Sequence, residues 1–210
     1  MPRSEREWLQ SALAGRYEPG VRATDAAPGL SLREIVDWDL VQLAAWRGRD
    51  DELAGHIGSV LGTARPAPCT GVDADGLELL AVAPLRLWCV APAGDPRLAR
   101  LADSLDAAVG CVTPLGHSHA RVRIGGPAAR ALLAQEIAID LDPAACASGR
   151  IARTALHHVP VLLQCRDAAA GVFDLYLPRS FAASSWEYLL DLAEAHGYKL
   201  HPRAGPDSMA

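Results

Sequence analysis

Apolar residues recur along this chain at two spacings, and their order predicts the architecture. Residues 4–14 set Trp8, Leu9, Ala12 and Leu13 at helical spacing behind Ser4 and Glu7, the i,i+3 pairing of a capping box, and Gly15 closes the expected helix. Residues 16–29, rich in Pro and Gly, read as a linker. From about Leu30 the pattern tightens. Val41, Leu43 and Ala45 alternate as a strand over 40–46, and Leu53, Ile57, Val60 and Leu61 return to helical spacing up to Gly62. A Pro/Gly/Asp loop over 63–76 precedes two apolar runs, 77–83 and 85–91, parted by Pro84. A helix follows with Asp95 as N-cap, Pro96 at its first position and Leu98, Leu101 and Leu105 as its buried stripe.

The second half repeats that order. Ala120, Val122 and Ile124 alternate with Arg121 and Arg123, and Gly126-Pro127 opens a helix through Leu132 and Leu133. Strands are expected at 150–157, 159–165 and 172–177, then a helix from Ser180 to His196 ended by Gly197. Strand, helix, two strands and helix, given twice, predict an α+β fold with two ferredoxin-like halves. The expected layout is an N-terminal helix and linker over 1–29, one domain over 30–200 and a flexible tail over 201–210.

Composition narrows the function. The chain has 210 residues, 50% of them hydrophobic, and a formal net charge of −5, with both signs scattered. No basic stripe interleaved with aromatics points to nucleic acid, and no apolar run is long enough to cross a bilayer. The first fifteen residues lack the apolar core of a signal peptide. Five cysteines, Cys69, Cys89, Cys111, Cys146 and Cys165, are widely spaced without a CxxC pair, which argues against a zinc ribbon or disulfide framework and for a reducing, cytoplasmic location. Lys199 is the sole lysine, leaving Schiff-base and phosphate-loop chemistry almost without a candidate.

Residues 116–120, Gly-His-Ser-His-Ala, imitate a nucleophile elbow at Ser118. The elbow needs a helix after it, and a strand pattern follows instead. His117 and His119 could share a metal from one face of a strand. The adjacent His157 and His158 would point to opposite faces, and no further ligand lies nearby in sequence. The carboxylate pairs Asp140/Asp142 and Asp73/Asp75 suit capping and turns, and no dinucleotide-binding glycine motif is present. Residues 172–198 place Val172, Asp174 and Tyr176 on one strand face, with the acid directed outward, and Phe173, Leu175 and Leu177 on the other. Pro178 ends the strand, Ser180 is the expected cap, and Phe181, Trp186, Leu189 and Ala193 form the expected inner face of the helix. Arg179, at the corner, suits a bidentate contact with a partner.

The run Phe-Asp-Leu-Tyr-Leu-Pro-Arg-Ser-Phe-Ala-Ala-Ser-Ser-Trp from Phe173 to Trp186, continuing to Tyr198, resembles the C-terminal signature of the gamma subunits of heterotetrameric sarcosine oxidases. Three more stretches fall in that family's order: residues 40–48, 121–135 and 139–165. The Gly-Pro helix start is shared with folate-binding aminomethyltransferases. The family usually carries Asp-Leu-Ser-His where this chain has Pro114-Leu115-Gly116-His117, and Lys-Gly where it has Gln135-Glu136. The resemblance implies an aminomethyltransferase-like fold and a non-catalytic structural subunit with no catalytic, cofactor or metal residues of its own. It implies alpha, beta and delta partner subunits that carry FAD, FMN, NAD, zinc and the tetrahydrofolate site. The implied complex demethylates sarcosine to glycine, passing the one-carbon unit to tetrahydrofolate and electrons to oxygen, with hydrogen peroxide formed. Tyr176, Arg179 and Trp186 then become the expected partner-docking residues. A stand-alone folate-binding aminomethyltransferase-like protein is the alternative.

Overall fold

Alternating runs separated by helices build two β-sheets, each in its own unit, in a computed structural model that describes residues 10–22 and 27–206. The first unit takes the chain up to Val36 and resumes at His117; the second is the insertion Asp37–Gly116. The first unit begins with strands β1 (Gly20–Arg22) and β2 (Leu30–Ile35).

The second unit runs β3 (Trp38–Ala45), α1 (Asp50–Leu61), β4 (Gly71–Ala74), β5 (Leu77–Ala83), β6 (Arg86–Pro92), α2 (Pro96–Asp103) and β7 (Gly110–Pro114). Its strands lie in the order β4-β5-β6-β3-β7, all neighbours antiparallel. Both helices pack on the sheet face that carries Leu43, Leu77, Leu79, Leu87 and Cys89, with Leu53, Ile57, Leu98 and Leu101 from the helices completing the core. Three acids in the first turn of α1 face the positive end of its dipole, and Gly62, at φ 68°, supplies the left-handed residue that ends it. Asp95 caps α2 as expected, accepting from the Arg97 amide at 2.8 Å. Strand β4 lies within the stretch expected as a loop, because four residues leave too few alternations to register as a strand.

The first unit resumes with β8 (His119–Gly125), α3 (Ala129–Glu136), β9 (Ile151–Leu156), β10 (Val159–Asp167), β11 (Val172–Pro178), α4 (Arg179–Glu194) and β12 (Tyr198–Leu200). The sheet order is β1-β12-β2-β8-β11-β10-β9. The β8-α3-β10-β11-α4-β12 path repeats the ferredoxin-like winding of the second unit, except that β2 is inserted between β8 and β12 and pairs in parallel with β12. Gly126, at φ +103°, lets the chain leave β8 against β2: a Cβ there would stand 2.6 Å from the Gly29 carbonyl.

Four expectations change here. Residues 1–9, which hold most of the helix expected over 4–14, lie outside the described residues; of the remainder, 12–15 form a turn with Leu13 fully buried. The expected linker contributes β1 and Tyr17, which stacks on Trp186 at 5.4 Å. Residues 201–204, expected to be flexible, are held by bonds from the His201 amide to Leu32 O and from the Ala204 amide to Glu34 O. Arg203 pairs with Glu34 and covers the Tyr17 ring at 4.7 Å. The fourth change is in α4. Its inner face is Ala182, Ser185, Trp186, Leu189 and Ala193, which turns Phe181 outward, 49% exposed. Pro178 occupies the N-cap position and Ser180 makes no cap bond, because the helix starts one residue earlier than expected.

Trp186 joins the segments of this unit most directly. It is fully buried, stacks on Tyr17 and donates from Nε1 to Arg16 O at 3.2 Å. Trp186→Ala is expected to cost about 3–5 kcal/mol, read as a lower urea midpoint at unchanged slope, with Trp186→Phe losing less. An unchanged midpoint for Trp186→Ala would show that the aromatic pair does not hold the N-terminal segment in place.

Candidate functional site

The antiparallel strands β8, β11 and β10 at the centre of the seven-stranded sheet carry buried residues on both faces, and the two faces differ. The face toward α3 and α4 is apolar: Ala120, Val122, Ile124, Phe173, Leu175 and Leu177. The alternate positions of the same strands are polar, and their register brings them together. Asp174 lies opposite Arg123 across β11 and β8, Tyr176 opposite Arg121, and Gln164 of β10 opposite Asp174.

These side chains form one buried cluster. Arg121 and Asp174 are fully buried and Arg123 nearly so. Arg121 donates to Asp174 Oδ2 from Nε at 2.9 Å and from Nη2 at 2.6 Å. Arg123 donates to Oδ1 from Nε at 2.8 Å and to Oδ2 from Nη2 at 3.0 Å. Arg166 stands 3.8 Å from Oδ2, Tyr176 donates to Gln164 Oε1 at 3.1 Å, and the Arg121 guanidinium lies over the Tyr176 ring at 5.2 Å. Asp174, expected to point outward, is the centre of the cluster: position 174 does leave the apolar face, but that second face is buried too. Burial pulls the Asp174 carboxyl upward, yet the Arg121, Arg123 and Arg166 guanidiniums outweigh it and hold the carboxyl below its ordinary value. A carboxylate so held is a weak base with its lone pairs engaged, suited to fixing strands and poorly suited to proton transfer.

The expected docking residues separate. Tyr176 and Trp186 are fully buried inside the first unit, Tyr176 in the polar cluster and Trp186 on the inner face of α4, and neither reaches the surface. Arg179 is exposed at the start of α4, where its Nη2 donates to Gln10 O at 2.6 Å and its amide to Ser118 O at 2.8 Å. Phe181 stands beside it. The sequence reading placed Phe181 inside, but five residues separate it from Trp186, and the inward position one turn before Trp186 belongs to Ala182.

The histidines divide likewise. Ser118 and His119 hydrogen-bond side chain to side chain at 2.7 Å, and the chain continues directly as β8 with no helix after Ser118, so the elbow geometry is not formed. Burial, then the Arg153 guanidinium, pushes the His119 imidazole down to about 4. His157 holds φ 54° in the β9–β10 turn, packs on His158 and Tyr188, and lies 4.0 Å from Glu136. Among the described residues no three His, Cys, Asp or Glu side chains are placed to hold a metal ion. Asp140 and Asp142 each accept from an amide two residues on, closing turns rather than capping a helix, since none starts at Pro143. One shallow open groove, edged by Arg16, Arg22, Glu18 and Glu187 over Tyr198 and Leu200, is partly spanned by the Arg16–Glu187 ion pair. No helix is long and apolar enough to cross a membrane among the described residues.

Two acid-side predictions follow from these groups. His119 is kept neutral by the fold, so its contribution is complete above about 6.5 and is lost as pH falls toward 4. The contribution of Asp174 is complete above its ordinary 3.8 and is lost only as pH falls below that. The urea midpoint is therefore expected to decline between pH 6.5 and 4, and His119→Gln to flatten that decline. Asp174→Asn, which leaves two buried guanidiniums without their anion, is expected to cost about 3–5 kcal/mol at pH 7. A loss below 1 kcal/mol would mean that the cluster is not held by its charge.

Comparison with known proteins places this arrangement. No model of a protein family matches the sequence. In the solved heterotetrameric sarcosine oxidase from Corynebacterium sp. U-96, in complex with pyrrole 2-carboxylate, one chain superposes with a TM-score of 0.73 at 23% identity, over 81% of this chain and 87% of that one. The glycine cleavage system aminomethyltransferase T from Bartonella henselae superposes with a TM-score of 0.61 at 16% identity, over 84% of this chain and 48% of that one. The two likenesses establish the aminomethyltransferase-like fold. In sequence, the sarcosine oxidase subunit gamma of Arthrobacter sp is 30% identical over 165 residues, covering 77% of this chain and 75% of that one. With an alignment that long across both proteins, this chain belongs to the family of sarcosine oxidase gamma subunits.

Proposed function

We propose that this chain is a non-catalytic assembly subunit of a heterotetrameric sarcosine oxidase-type complex. The observation that carries the reading is the 30% identity to a gamma subunit over 77% of the chain. The polar centre of the first unit supports it: the Asp174 carboxylate there is taken up by the chain's own guanidiniums rather than held ready for a reaction. The complex oxidises sarcosine to glycine, transfers the one-carbon unit to tetrahydrofolate and reduces oxygen to hydrogen peroxide. FAD, FMN, NAD, zinc and tetrahydrofolate belong to the alpha, beta and delta subunits, and this chain works in the cytoplasm by holding its neighbours.

The partner-facing residues are Arg179 and Phe181. A half-exposed phenylalanine beside an exposed arginine on the first turn of a rigid helix is the pairing that anchors protein interfaces, apolar area with a directional donor next to it.

Co-expression with the candidate partner genes, pulling on a tag fused to this chain, tests the proposal. A yellow complex that oxidises sarcosine and releases peroxide is the expected result. A colourless chain recovered alone would overturn it, and binding of a reduced folate by that chain would put a stand-alone folate protein in its place. Arg179→Glu combined with Phe181→Asp is expected to reduce partner recovery on the order of tenfold while leaving the urea midpoint of the isolated chain near wild type. Full recovery would move the interface elsewhere.

A further inference from the structure

Of the five cysteines, two meet. Cys146 and Cys165 are both buried in the first unit, and the Cys165 thiol donates to Cys146 O at 3.3 Å. That contact sets the Cys165 sulfur against the main chain of Cys146 itself. The backbone holds them there. The Gly149 amide donates to Cys165 O and the Cys165 amide to Arg150 O, each at 2.8 Å, pinning the end of the 137–150 segment to β10. The Cys146 amide closes the turn from Asp142 O at 2.7 Å. One cysteine therefore lies in a segment of turns and the other on a central strand, with no side chain needed to span a gap between them.

We infer that Cys146 and Cys165 are a dithiol site that a peroxide converts to a disulfide, clamping the 137–150 segment to β10. In the first step the Cys146 sulfur attacks one peroxide oxygen, the O–O bond breaks, and the sulfur becomes a sulfenic acid as water leaves. The Cys165 sulfur then displaces the sulfenic oxygen as a second water, forming the S–S bond. Two thiols lose two electrons, the peroxide gains them, and both thiol protons end in water. The order follows from position: Cys146 lies in the turn segment and Cys165 on a strand paired on both sides, where burial pushes its thiol up to about 12. Access requires the 137–150 segment, which has neither helix nor strand, to open locally, so the site responds to sustained exposure rather than to each turnover. The source of the peroxide rests on the function proposed above; the dithiol chemistry does not.

The test uses the purified full chain and added hydrogen peroxide, so it is independent of assembly and of sarcosine oxidation. After exposure, free thiols are alkylated in denaturant and the digest is read by mass spectrometry. The expected result is one cross-linked peptide pair joining Cys146 to Cys165, lighter by two hydrogens than the separate peptides, together with loss of alkylation at both. Cys89, as deeply buried but in the other unit, stays alkylatable. Cys146→Ser is expected to leave Cys165 alkylatable, and Cys69→Ser, at an exposed position, to leave the cross-link unchanged. The inference fails if Cys146 and Cys165 remain alkylatable after Cys69 has been oxidised, or if either pairs instead with Cys69 or Cys111.

Discussion

The grip of two guanidiniums on the Asp174 carboxylate ties together the centre of the seven-stranded sheet. Strands β8 and β11 carry charges on a face that receives no solvent, and a buried charge is tolerable only when it is neutralised and its hydrogen bonds are met. Arg121 and Arg123 approach the carboxylate from the same strand, two residues apart, so both reach it only in one register. A slip of one residue would move both cations to the apolar face under α3 and α4. The cluster therefore ties the strand pairing to one register, and that pairing positions everything attached to the ends of β8 and β11.

The corner at Arg179 is one such attachment. Strand β11 ends at Pro178, whose fixed φ and missing amide stop the ladder, and α4 starts at the next residue. The Arg179 amide is held by Ser118 O just before β8, so the same two strands that close the charge cluster set the position of the exposed arginine. At the other side of the sheet, Tyr17, Glu34, His201 and Arg203 bind the N-terminal and C-terminal segments to β2 through Tyr17 Oη, which donates to His201 O and accepts from the Glu34 amide. Both ends of the described chain are thus built into the unit rather than appended to it.

Much of this was legible in the sequence, for a physical reason. Strict alternation at 120–124 and 172–177 and the Asp95-Pro96 helix start are local signals, and the structure follows them. The strand-helix-strand-strand-helix order, read twice, gives the two ferredoxin-like windings. What escaped was non-local. Asp174 looks like a surface acid until its cross-strand partners are known, and nothing in the residues around it states the register. Phe181 and Trp186 are five apart, about 140° around a helix, so once Trp186, Leu189 and Ala193 define the inner face, Ala182 takes the inward place and Phe181 turns out. The strands β1, β4 and β12 are three or four residues long, too short for a period to show. The Arg-Asp-Arg cluster could have been found by reading the polar positions of adjacent strands as pairs, since a lone acid and two arginines occupy equivalent alternate places.

Strand β2 lies between β8 and β12, elements far later in the chain, while the second unit is a single uninterrupted stretch from Asp37 to Gly116. During synthesis that stretch can complete its own sheet as soon as it emerges, whereas β2 must wait for β8 on one edge and keeps the other edge open until β12, the last strand, has been made. The order of maturation is thereby written into the topology: the inserted unit closes early by local pairing, and the enclosing unit closes last, through contacts of long sequence separation that form slowly.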